Sequence, residues 1–193
     1  LGHIPKAWRR ANVTFIPKVG KKDYTLAKSF RPISFTSFVL KTMEKVIANY
    51  LNAEVLKSLP LHPCQHAYRA GRSTETALYA LTRTVQDALN NKETVIGVFL
   101  DVEGAFDNTS HDAIVMALNS SMVVDDLIKS LTEEGISCQG YADDIVMLIR
   151  GKSEYTLCEI AQRGINITSR WCQKNGLNIN PAKTVIVPFS KKR

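Results

Sequence analysis

Tyr141-Ala142-Asp143-Asp144 places two adjacent carboxylates between Ile136-Ser137-Cys138 and the apolar run Ile145-Val146-Met147-Leu148-Ile149. Two short β-prone segments around such a pair predict a hairpin with both acids at its tip. Like charges crowded there are relieved by a divalent cation. The strand-like Thr94-Val95-Ile96-Gly97-Val98-Phe99-Leu100 runs into another acid, Asp101, 42 positions ahead of Asp143. One carboxylate closing a strand beside a hairpin that carries two is an arrangement able to hold paired Mg²⁺ for nucleotidyl transfer.

The same dipeptide occurs again as Asp125-Asp126, where it reads differently. Apolar residues around it recur at 123/124, 127/128 and 131. That is a helical period, and it predicts a solvated helix face.

The elements that must position Asp101 and Asp143-Asp144 are legible in outline. Residues 11–17 read as a strand, and 18–23 as a basic turn. The periodicity predicts a helix from Ser37 to Leu59, stopped by Pro60 and Pro63. Ser73 or Thr74 caps a second helix whose apolar face is Ala77, Leu78, Leu81, Val85, Ala88 and Leu89. Ser110 or Asp112 is placed to cap a short helix to Leu118. Ser153 opens a longer one, with Leu157, Ala161, Gly164 and Trp171 on one face and Gly176 at its C-terminus. A last strand covers Thr184 to Phe189. This order predicts an α+β fold, an antiparallel sheet backed by helices.

Charge divides the chain sharply. Residues 1–93 hold fifteen Lys/Arg against six Asp/Glu, and residues 94–193 hold ten against twelve. Between Asp101 and Asp144 there are ten acids and one base, Lys129. A basic lobe over 1–93 and an acidic lobe over 94–193 suggest a polyanion held by one and metal ions by the other; an uneven solvated surface is the bland alternative. The four cysteines have no metal-ligand or disulfide spacing, which fits a reducing intracellular compartment, nuclear or cytoplasmic. No apolar run reaches membrane-span length. The chain begins at Leu1 rather than Met, which reads as a fragment.

Phe99-Leu100-Asp101-Val102-Glu103-Gly104-Ala105-Phe106-Asp107 together with Tyr141-Ala142-Asp143-Asp144 resembles the paired catalytic motifs of reverse transcriptases, and most closely those of non-LTR retrotransposons of the LINE or jockey-like type. Phe15 to Lys21 and Ser29 to Ser34 resemble the finger motifs of these enzymes, and Gln65 to Thr74 the block that follows. Trp171 to Thr184 resembles the segment after the catalytic hairpin.

The resemblance implies a partial right-hand polymerase of fingers and palm, with no thumb after the Lys183 segment. It implies an RNA template, a DNA primer and dNTPs as partners, and two Mg²⁺ ions, with Mn²⁺ a possible substitute. By position, Asp101, Asp143 and Asp144 ligate the metals, and Val102 adds a backbone carbonyl. Phe106 falls where the family gates against a ribose 2′-hydroxyl, although a core Phe would satisfy the pattern too. Lys18 and Arg31 are candidates for gripping the triphosphate or for touching template phosphates. Lys183 resembles a lysine that protonates departing pyrophosphate, or is a solvated lysine after a turn. Arg69 and Arg72 are expected on the nucleic-acid backbone.

The chain also departs from the family. A Pro-Gln-Gly-type block expected between the Asp101 strand and the hairpin is missing. Ala117 to Met122 instead runs directly into Val123-Val124-Asp125-Asp126-Leu127. An internal deletion with its seam near Ser120 to Val123 accounts for this. The resemblance thus allows two outcomes: a polymerase domain, or an inactive remnant that still binds nucleic acid.

Overall fold

The computed structural model describes residues 3, 5–58, 60–103, 123–142 and 144–191. They form two compact units, residues 1–60 and 61–193. The packing boundary therefore falls ahead of the charge boundary at 93/94. Eleven Lys/Arg against three Asp/Glu lie in the first unit, a net of +8, and fourteen against fifteen in the second.

In the first unit, β1 (Asn12–Pro17) pairs antiparallel with β2 (Phe30–Phe35), from Asn12 opposite Phe35 to Pro17 opposite Phe30. The loop between them is braced by the Lys18 ammonium, which donates to the Lys28 carbonyl at 2.9 Å. Ser37 caps α1 (Phe38–Tyr50) by accepting from the Leu40 amide. The single long helix expected from Ser37 to Leu59 does not persist. After α1 the chain makes a π-helical turn over Leu51–Val55 and a short α2, Leu56–Ser58. Asn52 supplies the reason. Its side-chain amide donates to the Ala48 carbonyl at 2.8 Å, the acceptor that an α-helical ladder assigns to its backbone N–H.

The second unit is built on β3 (Thr94–Glu103), β4 (Ser137–Tyr141), β5 (Asp144–Gly151), β6 (Asn178–Ile179) and β7 (Val185–Phe189), all paired antiparallel. β5 lies between β4 and β3, while β6 and β7 share the other edge of β3. The other helices described are α3 (Thr74–Asn90), α4 (Val123–Glu133) and α5 (Glu154–Lys174). Ser73 and Thr76 form the reciprocal cap of α3. The short helix expected over 110–118 lies outside the described residues.

The period-two alternation of β3 and β5 sends alternate residues to opposite faces. Val98, Leu100, Ile145, Met147 and Ile149 meet Leu127, Ile128, Leu131 and Leu157 from α4 and α5. Val95 and Leu148 meet Val85 and Ala88 from α3 on the other face. The sheet is thus covered on both sides. Gly164 lets α5 approach closely, since a Cβ there would lie 2.6 Å from the Met147 sulfur. Among the described residues, no helix is long and apolar enough to cross a membrane.

Candidate active site

The hairpin expected around the paired acids forms, with Tyr141 opposite Asp144. Ala142 has φ +58°, the left-handed conformation that tight hairpin turns require and that a non-glycine residue adopts at a cost. Asp143 lies outside the described residues, as do Phe106 and Asp107.

β3 extends past the expected end at Leu100, and Asp101 pairs directly with Asp144 on β5. Odd-numbered positions of β3 and even-numbered positions of β5 face α3, so both carboxylates belong to that side of the sheet. They line a cleft of about 440 Å³. The first turns of α3 (Thr74, Ala77, Leu78 and Leu81) form one wall, and Phe99, Tyr141 and Val146 contribute to the sheet side. Val102 points the other way, into the core.

Lys183 reaches the same cleft. Its ammonium donates to both oxygens of Asp101, each at 2.9 Å. The turn that carries it is built by Asn180-Pro181. The Asn180 side chain accepts from the Ala182 amide, and the Asn180 carbonyl accepts from the amides of Lys183 and Thr184. The Asn180 amide in turn donates to the carbonyl of Asp101 at 2.9 Å. β6 pairs with Val102–Glu103 and β7 with Val95–Phe99, so their connection passes beside Asp101. An Asn-Pro turn signal was present in the sequence, although it did not say which strand the turn would flank.

Asp101 and Asp144 offer hard oxygen donors from adjacent strands on one face. That donor set suits Mg²⁺, which takes one or two carboxylates and completes its shell with water and phosphate oxygens. The ammonium on both Asp101 oxygens shows that a cation fits there. Among the described residues, no three His, Cys, Asp or Glu side chains converge on a metal position.

The arginines expected on nucleic acid are held within the second unit. Arg69 donates to the carbonyls of His62 at 2.9 Å, Leu61 at 3.4 Å and Gln65 at 3.5 Å, bracing the 61–65 loop. Arg72 lies 3.2 Å from the His66 ring. Burial, with Arg72 and then Arg69 nearby, holds His66 below its usual imidazole value. Lys18 and Arg31 both belong to the first unit, Arg31 on β2 opposite Ile16.

That loop serves the hairpin. Gln65 forms a parallel bridge with Gly140, whose amide donates to the Cys64 carbonyl and whose carbonyl accepts from the His66 amide. A Cβ at 140 would press on the Gln65 side chain at 3.0 Å. The sequence reading also missed Asp125. It sits on α4 as the period required, but it is buried rather than solvated, and its carboxylate accepts from the His62 amide at 2.7 Å. Asp126 keeps the exposed position. A helical period cannot say which polar residue a distant loop will cover.

The reverse transcriptase (RNA-dependent DNA polymerase) family matches residues 16–121 and again residues 117–191.

The chain belongs to the reverse transcriptase family.

It is 31% identical over 158 residues to the RNA-directed DNA polymerase from mobile element jockey of Drosophila melanogaster, covering 78% of this chain and 17% of that protein. It is 29% identical over 162 residues to a probable RNA-directed DNA polymerase from transposon BS of the same organism, covering 84% and 17%. The chain thus spans less than a fifth of the length of these relatives. A third relative, the retrovirus-related Pol polyprotein from type-1 retrotransposable element R1 of Bradysia coprophila, is 20% identical over 231 aligned positions, covering 96% of this chain and 23% of that protein. The alignment exceeds the 193 residues of the chain by 38 positions, so at least that many positions of the R1 protein have no counterpart here. The family match itself breaks into two overlapping pieces at 117–121, beside the expected seam.

Proposed function

We propose that this chain carries the polymerase site of an RNA-directed DNA polymerase of retrotransposon type, with the second unit as palm and the first as part of the fingers. The observation that carries this reading is the direct pairing of Asp101 with Asp144 at the mouth of a cleft, on strands whose motifs match the family.

In this reading Asp101, Asp143 and Asp144 hold two divalent ions, Mg²⁺ or Mn²⁺, with the Val102 carbonyl as a further ligand. When bound, such ions lower the pKa of the attacking hydroxyl and stabilise charge on the transferring phosphate. The remaining work belongs to the chain. The α3 wall and Tyr141 enclose the reacting end of a DNA primer on its RNA template. Lys183, close to Asp101, is placed to give a proton to the leaving pyrophosphate. Phe106 stands against a ribose 2′-hydroxyl, which favours dNTPs. Lys18 and Arg31 meet triphosphate or template phosphate, and the +8 first unit holds the polyanion. The protein acts inside the cell, in the nucleus or cytoplasm.

The absent positions and the broken family match favour a second reading of the chain as it stands: a remnant that binds nucleic acid and metal without efficient synthesis. A primer-extension assay with RNA template, DNA primer, dNTPs and Mg²⁺ separates the two. A chimera that carries, between Ser120 and Val123, the positions of the R1 protein without a counterpart here is expected to extend primers, with extension lost on Asp101→Asn. A well-folded chimera that stays inert would refute the polymerase assignment.

A further inference from the structure

We infer that Lys183 is a built-in counter-cation for Asp101, so that a divalent ion must displace it to take both carboxylate oxygens. This rests on the reading of Asp101 as a metal ligand.

Three observations carry it. The ammonium lies 2.9 Å from each Asp101 oxygen, so it covers the bidentate face that a chelated ion would use. The contact is also enforced. The 180–184 turn is closed on itself through Asn180, and the Asn180 amide is bonded to the main-chain carbonyl of Asp101. The lysine is therefore tethered to the residue it neutralises, and its local concentration there is high whatever the solution contains. The third observation is the need for a cation. Asp101 faces Asp144 directly across the β3–β5 pair, and like charges in that position destabilise a sheet. Without a metal, Lys183 supplies the compensating charge.

The pair is asymmetric in a way that permits exchange. The Lys183 side chain keeps 63% of its exposure while that of Asp101 keeps 19%. The carboxylate is fixed in the strand, whereas the ammonium stands largely in solvent, where an ion pair is weak and open to exchange. One carboxylate face then has two exclusive occupants, and the apparent affinity for a divalent ion falls by the fraction of time that Lys183 is away. Displacement has a second consequence. The released ammonium stays on its short turn beside the cleft, so metal entry delivers it to the place where leaving phosphate would need a proton donor. The lysine is parked until the metal arrives.

Mn²⁺ binding to the full chain, followed by electron paramagnetic resonance, tests this without any polymerase assay. Lys183→Met should bind Mn²⁺ up to about fivefold more tightly than the parent chain, the range expected from removing one exposed ion pair. Lys183→Arg keeps a cation at the carboxylate and should stay at or below parental affinity. Asp101→Asn should weaken binding in either background. The rise in melting temperature on adding Mn²⁺ should be larger for Lys183→Met than for the parent, which confirms that the variant is folded. If Asp101→Asn weakens binding while Lys183→Met leaves it unchanged or lower, the displacement is refuted and the metal-ligand reading stands. If Mn²⁺ binding in every variant is indifferent to Asp101, both fall together.

Discussion

Asp125 and His62, 63 positions apart in the chain, are joined by a 2.7 Å hydrogen bond from the His62 amide to a carboxylate that is 2% exposed. The bond ties the N-terminal turn of α4 to the loop that runs beside β4, and so fixes the hairpin through Gly140. The second Asp125 oxygen is buried without a hydrogen-bond partner among the described residues.

Removing Asp125 should therefore cost more or less according to what replaces it. Asp125→Ala leaves the His62 amide unsatisfied and should cost about 1–3 kcal/mol. Asp125→Asn keeps an acceptor and removes a buried charge, so urea unfolding should place it within about 1 kcal/mol of the parent. Equal loss in both variants would mean that the charge itself is required.

Ala142 offers a test of turn strain. A left-handed Ala costs roughly 1–2 kcal/mol, and glycine avoids this at the expense of unfolded-state entropy of about 0.4–1 kcal/mol. Ala142→Gly should be neutral or slightly stabilising in thermal melts. Ala142→Val, β-branched at φ +58°, should be clearly destabilising.

Stability should be highest between the ordinary titration of imidazole and that of thiols. Burial pushes Cys138 and Cys172 up to about 11 from an ordinary value of 9.0. Their raised values favour the protonated folded form, so this contribution is complete below pH 9.0 and is lost as pH rises toward 11. His66 is held below 6.5 by burial and then by Arg72 and Arg69. It favours the neutral folded form, so its contribution is present above pH 6.5 and is lost as pH falls below that. Urea midpoints measured across this range should fall at both ends, and Cys138→Ala with Cys172→Ala should flatten the alkaline limb.

Local patterns carried most of the fold. Ser73, one of the two residues expected to cap α3, and Ser153, expected to cap α5, both do so, because a cap is written within four residues. The alternation of β5 and the paired acids between two β-prone segments likewise specified the hairpin. What remained hidden depends on distant partners. The Asp101 strand was expected beside the hairpin; the register that sets Asp101 directly opposite Asp144, 43 positions on, was not legible. The roles of Arg69 and Asp125 depend on a loop folding back onto both. Charge type alone could not separate a brace from a ligand.

Arg69 and Arg72 should accordingly separate in experiment. Arg69→Ala removes the donor to the carbonyls of Leu61, His62 and Gln65 and should lower stability by about 1–3 kcal/mol, with little effect on the salt dependence of nucleic-acid binding. Arg72→Ala should flatten the plot of log affinity against log salt by about one phosphate contact, as the expectation from the sequence requires. An unchanged slope for Arg72→Ala would leave the arginine to His66 alone.

The chain expressed alone should not extend a primer processively, even with its carboxylates intact. Holding the primer hydroxyl, the incoming nucleotide and the metals in line can contribute about 7–11 kcal/mol of barrier reduction. Asp101, Asp144 and Lys183 position only the cation side of that arrangement. The family match breaks at 117–121, ahead of α4 and the hairpin, and at least 38 positions of the R1 protein have no counterpart here. We propose that a floor under the nucleotide and template base lies among those positions. Mn²⁺ and duplex binding need no such floor and should survive. Incubation with RNA template, DNA primer, dNTPs and Mg²⁺ should give at most trace addition. Extension by many nucleotides, abolished by Asp101→Asn, would show that the chain positions its substrates without the missing segment.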